Sequence, residues 1–376
     1  MDFDLTEEQS LLQDSITKLL ADSYSFEQRK ALRQQPGGYS RELWQQLQDL
    51  GLLALPFAEE DGGLGGGALE TLLLMEAFGR HLVVEPYLAT VVLAGGCLRH
   101  GATAAQRVQW LPSLIGGETT WALAHGERAA RFDVARVNAT ARRDGSDWLL
   151  DGTKTVVLHG DTADRLIVSA HDGKGIGLFV VDASAPGLTR RGYPTQDGLR
   201  AADVSLQSVR VSDDRRLDGA DGLAVLQRVH DEGIAAVCAE AVGTMERALE
   251  ITVDYLKQRK QFGVAIGSFQ ALQHRAVDML VMVEQARSMA YFATMSVAEP
   301  DATKRAAAMS AAKVQIGRSA RFVGEQAVQL HGGIGVTEEC SVGHYYRRLT
   351  LIEILFGDAN HHLAQLARAG GLDSRT

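Results

Sequence analysis

Apolar residues recur at helical spacing over the first third of the chain and again over the last, with a different rhythm between them. Leu12, Ile16, Leu19 and Leu20 fall on one helical face. Thr6 stands before that run with Gln9 three residues on, the pattern of a capping box, so a helix is predicted to start there. Leu43, Leu47, Leu50 and Leu53 predict a second helix over 39–53. GLLALPFAEEDGGLGGG is a Pro/Gly-rich connection. Helical spacing resumes over 68–78 and 86–97, and a short helix over 106–115 closes a first domain, 1–118.

Near residue 119 the period shortens. TTWALAH, WLLDGTKTVVLH, RLIVSAH, GIGLFVVD and ADVSLQSVRV are short apolar or alternating runs parted by Gly and Asp turns. They predict a mostly antiparallel β-domain over 119–221. No Walker pattern and no GxGxxG after a strand occurs in it, which argues against a nucleotide-binding βαβ unit. From Gly222 long helical patterns return over 234–257, 269–297 and 301–329, rich in Ala, Met, Leu and Val, and suit a four-helix bundle over 222–376. The expectation is a multidomain α+β protein.

Composition narrows this further. The 376 residues allow two or three domains, and a hydrophobic content of 45% with 23% charged describes a soluble globular chain. A formal net charge of −9 gives no basic footprint for nucleic acid, although it does not exclude a local anion site. Cys97, Cys238 and Cys340 are odd in number and far apart, unlike a disulfide framework or a metal cluster. The N-terminus MDFDLTEEQSLLQD lacks the basic and apolar runs of a signal peptide, and no segment approaches the roughly 20 apolar residues of a membrane span. A reducing, cytoplasmic setting is expected.

Three stretches then carry a resemblance. Arg259-Lys260-Gln261-Phe262-Gly263 precedes Phe269-Gln270-Ala271-Leu272-Gln273; Gln329-Leu330-His331-Gly332-Gly333 follows; Tyr346-Arg347-Arg348 with Phe356-Gly357-Asp358 comes last. In order and spacing, behind a β-rich middle, they resemble the acyl-CoA dehydrogenase family over nearly the whole chain. The resemblance implies an N-terminal helical domain, a middle β-domain and a C-terminal four-helix bundle, with FAD shared at a subunit interface. It implies that Arg259, Phe262, Gln329, Gly332 and Gly333 meet the flavin dinucleotide of a neighbouring subunit. Read without the family, Arg259 is a solvated helix end and Gly332 a helix cap.

The chain departs from the family where its own flavin would sit. The family's Thr-Glu and Gly-Ser-Asp are replaced by Ala124-His125-Gly126-Glu127-Arg128, and its Trp-Ile-Thr-Asn-Gly by Val156-Val157-Leu158-His159-Gly160. A backbone N–H is left to serve a flavin carbonyl, and His159 reads as a surface or turn histidine. The catalytic glutamate position falls on Phe356, which cannot take a proton. Asp358 and Glu353 are nearby acids, Glu353 being expected to pair with Arg347 or Arg348. An alternative base position, at the start of the long third-domain helix, falls beside Glu232. Asp358, His361 and His362 form a polar cluster without the ligand count of a metal site, so solvated or interface histidines are expected.

The chain is most similar to the small subunits of two-component acyl-CoA dehydrogenases that serve pimeloyl-CoA or the CoA thioesters of steroid side chains. That implies a larger catalytic partner in an α2β2 assembly, with catalytic residues of this chain unassigned. Two alternatives stand beside it: an active homo-oligomer using Glu232 as base, and a non-redox acyl-CoA-binding or structural homologue. The acyl group and the electron acceptor, electron-transfer flavoprotein or oxygen, are left open.

Overall fold

The computed structural model describes residues 5–370; the outer ends of the first and third predicted domains, 1–4 and 371–376, lie outside the described residues. Helices run to Ile115, strands occupy Trp121 to Ser212, and helices return from Gly222. The fold is therefore tripartite: a helical N-terminal part, a middle β-domain and a C-terminal helix bundle.

The first part contains α1 (Glu7–Ser23), α2 (Phe26–Leu32), α3 (Arg41–Asp49), α4 (Ala68–His81), α5 (Gly95–Gly101) and α6 (Ala104–Ile115). Thr6 caps α1, accepting from the Gln9 amide at 3.2 Å while the Gln9 side chain accepts from Thr6 at 3.0 Å. Helix α3 stops at Asp49, short of the predicted 53. Leu43, Leu47 and Leu53 are buried, but Leu50 points outward and the chain turns at Gly51. The predicted helix over 86–97 is π-helical at Leu88–Ala94 before it becomes α5.

The strands are β1 (Trp121–Ala124), β2 (Thr140–Asp144), β3 (Asp147–Leu158), β4 (Arg165–His171), β5 (Ile176–Asp182), β6 (Leu188–Pro194) and β7 (Arg200–Ser212). They form one sheet in the order β1-β4-β2-β3-β7-β6, with β5 on β4; β4 pairs in parallel with β1 and β2, and the remaining pairs are antiparallel. Strands β4 and β5 are buried on both faces, which explains their unbroken apolar runs. Strand β7 alternates because one face meets Leu150, Val168 and Phe179 in the core. The β3–β7 ladder shifts register between Leu150 and Gly152 and again between Lys154 and Val157.

The last part holds α7 (Gly222–Gln258), a hairpin of β8 (Lys260–Gln261) and β9 (Val264–Ala265), then α8 (Gln270–Ser296), α9 (Ala302–His331), α10 (Ser341–Ile354) and α11 (Ala359–Arg368). The chain forms two compact units. One gathers residues 5–30, 68–83 and 234–370; the other, 31–67 and 84–233, contains the sheet. In the helical unit α4 and α7 cross in near contact. A Cβ on Gly79 would stand 1.9 Å from the Glu240 carbonyl oxygen, and one on Gly243 1.9 Å from that of Glu76. Only glycine fits at either position. Below the crossing, Arg348 grips Glu240 with two bonds of 2.6 Å, both side chains buried.

Candidate functional site

The residues expected to meet a neighbour's dinucleotide come together at one end of the bundle. Arg259 directly follows α7, its amide bonded to the Tyr255 carbonyl at 2.8 Å. Tyr255 stacks on His331 at the end of α9, ring centroids 4.4 Å apart. That stack joins the end of α7 to the segment carrying Gln329, Gly332 and Gly333. Arg259, Gln329, Gly332 and Gly333 are exposed. Gly332 has φ +65°, and a Cβ there or on Gly333 would meet nothing within 4 Å, so backbone is accessible on that side. Phe262 has φ +55° and is 91% exposed, its ring edge-on to Phe269 at 6.2 Å.

The segments that form this corner and the helix after the hairpin also carry exposed apolar side chains. Val264 and Phe269 on the hairpin side, Val277, Leu280 and Val281 on α8, and Val336 after α9 are all exposed. An exposed aromatic with φ > 0 is an unfavourable conformation unless something packs against it.

The turn at Phe356 is built the opposite way. Lys313, with no exposed surface, donates to the carbonyls of Ile352 and Glu353 at 2.8 Å and of Gly357 at 2.9 Å, capping the end of α10. Burial pushes its ammonium down to about 8, against the opposing pull of Cys238, Glu353 and Asp358. His362 Nε2 donates to the Phe356 carbonyl at 3.1 Å, and its Nδ1 meets Ser310 Oγ at 3.1 Å. His362 is therefore a buried clamp rather than a solvated histidine. Asp358 caps α11 by accepting from the His361 amide at 2.7 Å, which occupies it structurally. Glu353 does not pair with either arginine as expected: Arg347 binds Glu338 at 2.6 Å and Arg348 binds Glu240. The reason is helical phase, since Glu353 faces Gly317 and the Ala359 amide. Among the described residues no group of three or more His, Cys, Asp or Glu is placed to hold a metal.

In the β-domain, the amides expected to serve a flavin carbonyl are already used. The His159 amide donates to the Arg200 carbonyl at 2.9 Å and the Gly160 amide to Val157 at 3.0 Å. His159 sits in a turn at φ +51° but is buried, not a surface residue. Val156, where the family has tryptophan, is 55% exposed. Nearby, Lys154 is wholly buried and donates to Glu127 at 2.7 Å and Ser169 Oγ at 3.0 Å. Glu127 also accepts from the Asn138 and Ala139 amides at 2.8 and 3.0 Å, tying the loop after β1 to the start of β2. His125 meets the same Ser169 hydroxyl at 2.9 Å; burial and then Lys154 push its imidazole down to about 3, so it is neutral.

Glu232 is held by three basic groups: Arg99 at 2.5 Å, His100 at 2.8 Å and Arg228 at 3.3 Å. Burial alone would raise its pKa. The His100 hydrogen bond and the charges of Arg99 and Arg228 outweigh burial and hold the carboxyl down to about 2. A carboxylate so stabilised is a weak base. Sequence reasoning missed this cage because Arg99 and His100 lie on α5, far back in the chain; their adjacency was the only signal. Lys154, Lys313 and Glu127 were missed for the same reason, each being identified by burial and not by motif.

Family models describe residues 6–118 as an acyl-CoA dehydrogenase N-terminal domain, 122–211 as the middle domain and 220–371 as the C-terminal domain. A variant of the Tcur3481–Tcur3483 steroid ACAD is 32% identical, with TM-score 0.89 over 98% of this chain and 99% of that one. The ChsE4–ChsE5 complex of Mycobacterium tuberculosis contains a chain 28% identical, TM-score 0.88, with both chains fully covered. PigA, solved with FAD and proline, is 27% identical, TM-score 0.90, again with full coverage of both.

Proposed function

We infer that this chain, which belongs to the acyl-CoA dehydrogenase family, serves as a subunit of an FAD-dependent acyl-CoA dehydrogenase and lends flavin-contacting groups to a partner chain that carries the base. The observation that carries this reading is an asymmetry. The donating corner at Arg259, Gln329 and Gly332-Gly333 is exposed and open, whereas the chain's own site has Phe356 in a clamped turn and its amides at 159 and 160 engaged.

The donor set fits the dinucleotide. Arg259 offers a planar guanidinium suited to a pyrophosphate, and Gly332 and Gly333 let backbone approach closely. Phe262 projects outward, where it can lie against the adenine end. FAD, when bound, supplies the hydride acceptor for α,β-dehydrogenation of an acyl-CoA thioester. This chain's part is to bind and orient. Its Glu232 is committed to Arg99, His100 and Arg228, which weighs against the homo-oligomeric reading in which Glu232 is the base.

The exposed apolar residues support a surface that a partner chain covers. Likeness to a steroid ACAD and to the ChsE4–ChsE5 complex supports a larger homologous subunit, an α2β2 assembly, and a bulky steroid side-chain thioester as substrate. A cytoplasmic location accords with three free cysteines.

Flavin stoichiometry tests the reading. Purified alone, the chain should carry no FAD. Co-expressed with a larger homologue, it should yield about one FAD per two chains, and Arg259→Met should lower that content. One FAD per chain in a homomer overturns it.

A further inference from the structure

We propose that a cavity wholly inside the helical unit, distinct from the flavin corner, binds a small organic anion: a carboxylate or phosphate on a compact apolar body. The cavity has a volume of about 410 Å³ and lies among the ends of α1 and α4, the second half of α7 and the start of α10. That is the small end of the usual range for ligand pockets, roughly 300–1,000 Å³. It suits a benzoate- or hexanoate-sized molecule and excludes a whole coenzyme A thioester or FAD.

The lining sets the charge of the ligand. Arg80, His81 and Arg247 all line the cavity, and no carboxylate lines it among the described residues. The acids that steady the guanidiniums stand outside the lining: Arg80 donates to Glu246 at 3.0 Å and Glu250 at 2.7 Å, and Arg247 to Glu250 at 2.8 Å. Those bonds fix both planes in position without using all five donors of either. Arg80 is further set by its carbonyl, which accepts from the Tyr345 hydroxyl at 2.7 Å. Burial raises the Tyr345 phenol to about 12, so it adds no negative charge.

A second polar element converges there. Ser341 is the first residue of α10, and the N-cap before it, Cys340, gives the helix no side-chain cap. The first residue of a 14-residue helix thus lines the same space as two guanidiniums, and a helix start and a guanidinium both favour negative charge. Phe26, Leu82 and Ile251 provide the apolar walls for the ligand's body.

The test is isothermal titration of the 376-residue chain with benzoate, hexanoate, phenyl phosphate and, as a neutral control, benzyl alcohol. At least one anion should bind saturably at one per chain, and the alcohol about tenfold or more weaker. Arg247→Met should weaken the anion by about tenfold or more, and Ala21→Phe, which adds a ring to the lining, should abolish binding with the circular dichroism spectrum unchanged. Preference for benzoate over phenyl phosphate assigns a carboxylate; the reverse assigns a phosphate. No binding by any anion at millimolar concentration, equal binding of the alcohol, or unaltered binding in Ala21→Phe each overturns the proposal. Neither flavin nor a partner chain enters the experiment, so it stands or falls apart from the dehydrogenase reading.

Discussion

Replacing Glu232 by glutamine separates a structural carboxylate from a catalytic base. Arg99 and His100 on α5 and Arg228 one turn back on α7 converge on it, and its pKa falls from about 4.5 to about 2. At about 1.4 kcal/mol per unit, that shift stabilises the folded state by roughly 3 kcal/mol. The pKa is lower in the folded state than in the unfolded one. The contribution is therefore complete above pH ~4.5 and is lost as the pH falls towards 2. Glutamine keeps the shape but leaves two guanidiniums and an imidazole without their anion. Glu232→Gln should lower Tm at pH 7 by roughly 6–12 °C, taking roughly 2–4 °C per kcal/mol for a unit of this size. The difference from wild type should shrink below pH 4.5. In the co-expressed complex, turnover per bound flavin should stay within about threefold of wild type. Differential scanning fluorimetry across pH and acyl-CoA-dependent dye reduction measure the two quantities. Removal of a true general base costs about a hundredfold or more in rate. A loss of that size with unchanged Tm would refute the structural reading of Glu232.

Three further outcomes are expected. Lys154→Met leaves Glu127 buried without its cation and should cost roughly 3–5 kcal/mol in denaturant titration at pH 7; because burial lowers the lysine to about 8, wild type should gain relative stability as the pH rises from 8 towards 10.5. Arg348→Met should cost a similar roughly 3–5 kcal/mol through the uncompensated Glu240, while Arg348→Met with Glu240→Leu should recover most of it in a double-mutant cycle. Phe356→Glu in the isolated chain should give no flavin-dependent turnover of acyl-CoA, since the amides at 159 and 160 stay engaged; measurable flavin reduction by that variant would show that the missing carboxylate was the sole defect.

The elements with a strong period were legible. The cap at Thr6, the strands of the β-domain and the long bundle helices each announce themselves within a window of a dozen residues, because a buried face repeats with the backbone. The end of α3 was not: Leu50 continues the spacing but the chain has already turned at Gly51. The site was legible only as motifs. Arg259, Gln329 and Gly332-Gly333 could be named, but their meeting depends on the Tyr255–His331 stack, which joins the ends of two helices with two other segments between them. Glu353 was assigned the wrong partners because charge and nearness in sequence ignore which side of a helix a residue faces.

The sequence by itself determined the order of the helical and strand regions and that Phe356 cannot act as a base, and its family resemblance named Arg259, Gln329 and Gly332-Gly333 as candidate dinucleotide contacts. Those are properties of side-chain chemistry and local period. The tertiary structure alone decided what the buried ionisable groups do. Glu232 is an ion-pair anchor, Lys313 a clamp on the Phe356 turn, Lys154 the counter-ion of Glu127, and Arg80 and Arg247 line a common cavity. A charged side chain takes its pKa and its role from the groups that surround it after desolvation, and those groups come from distant parts of the chain.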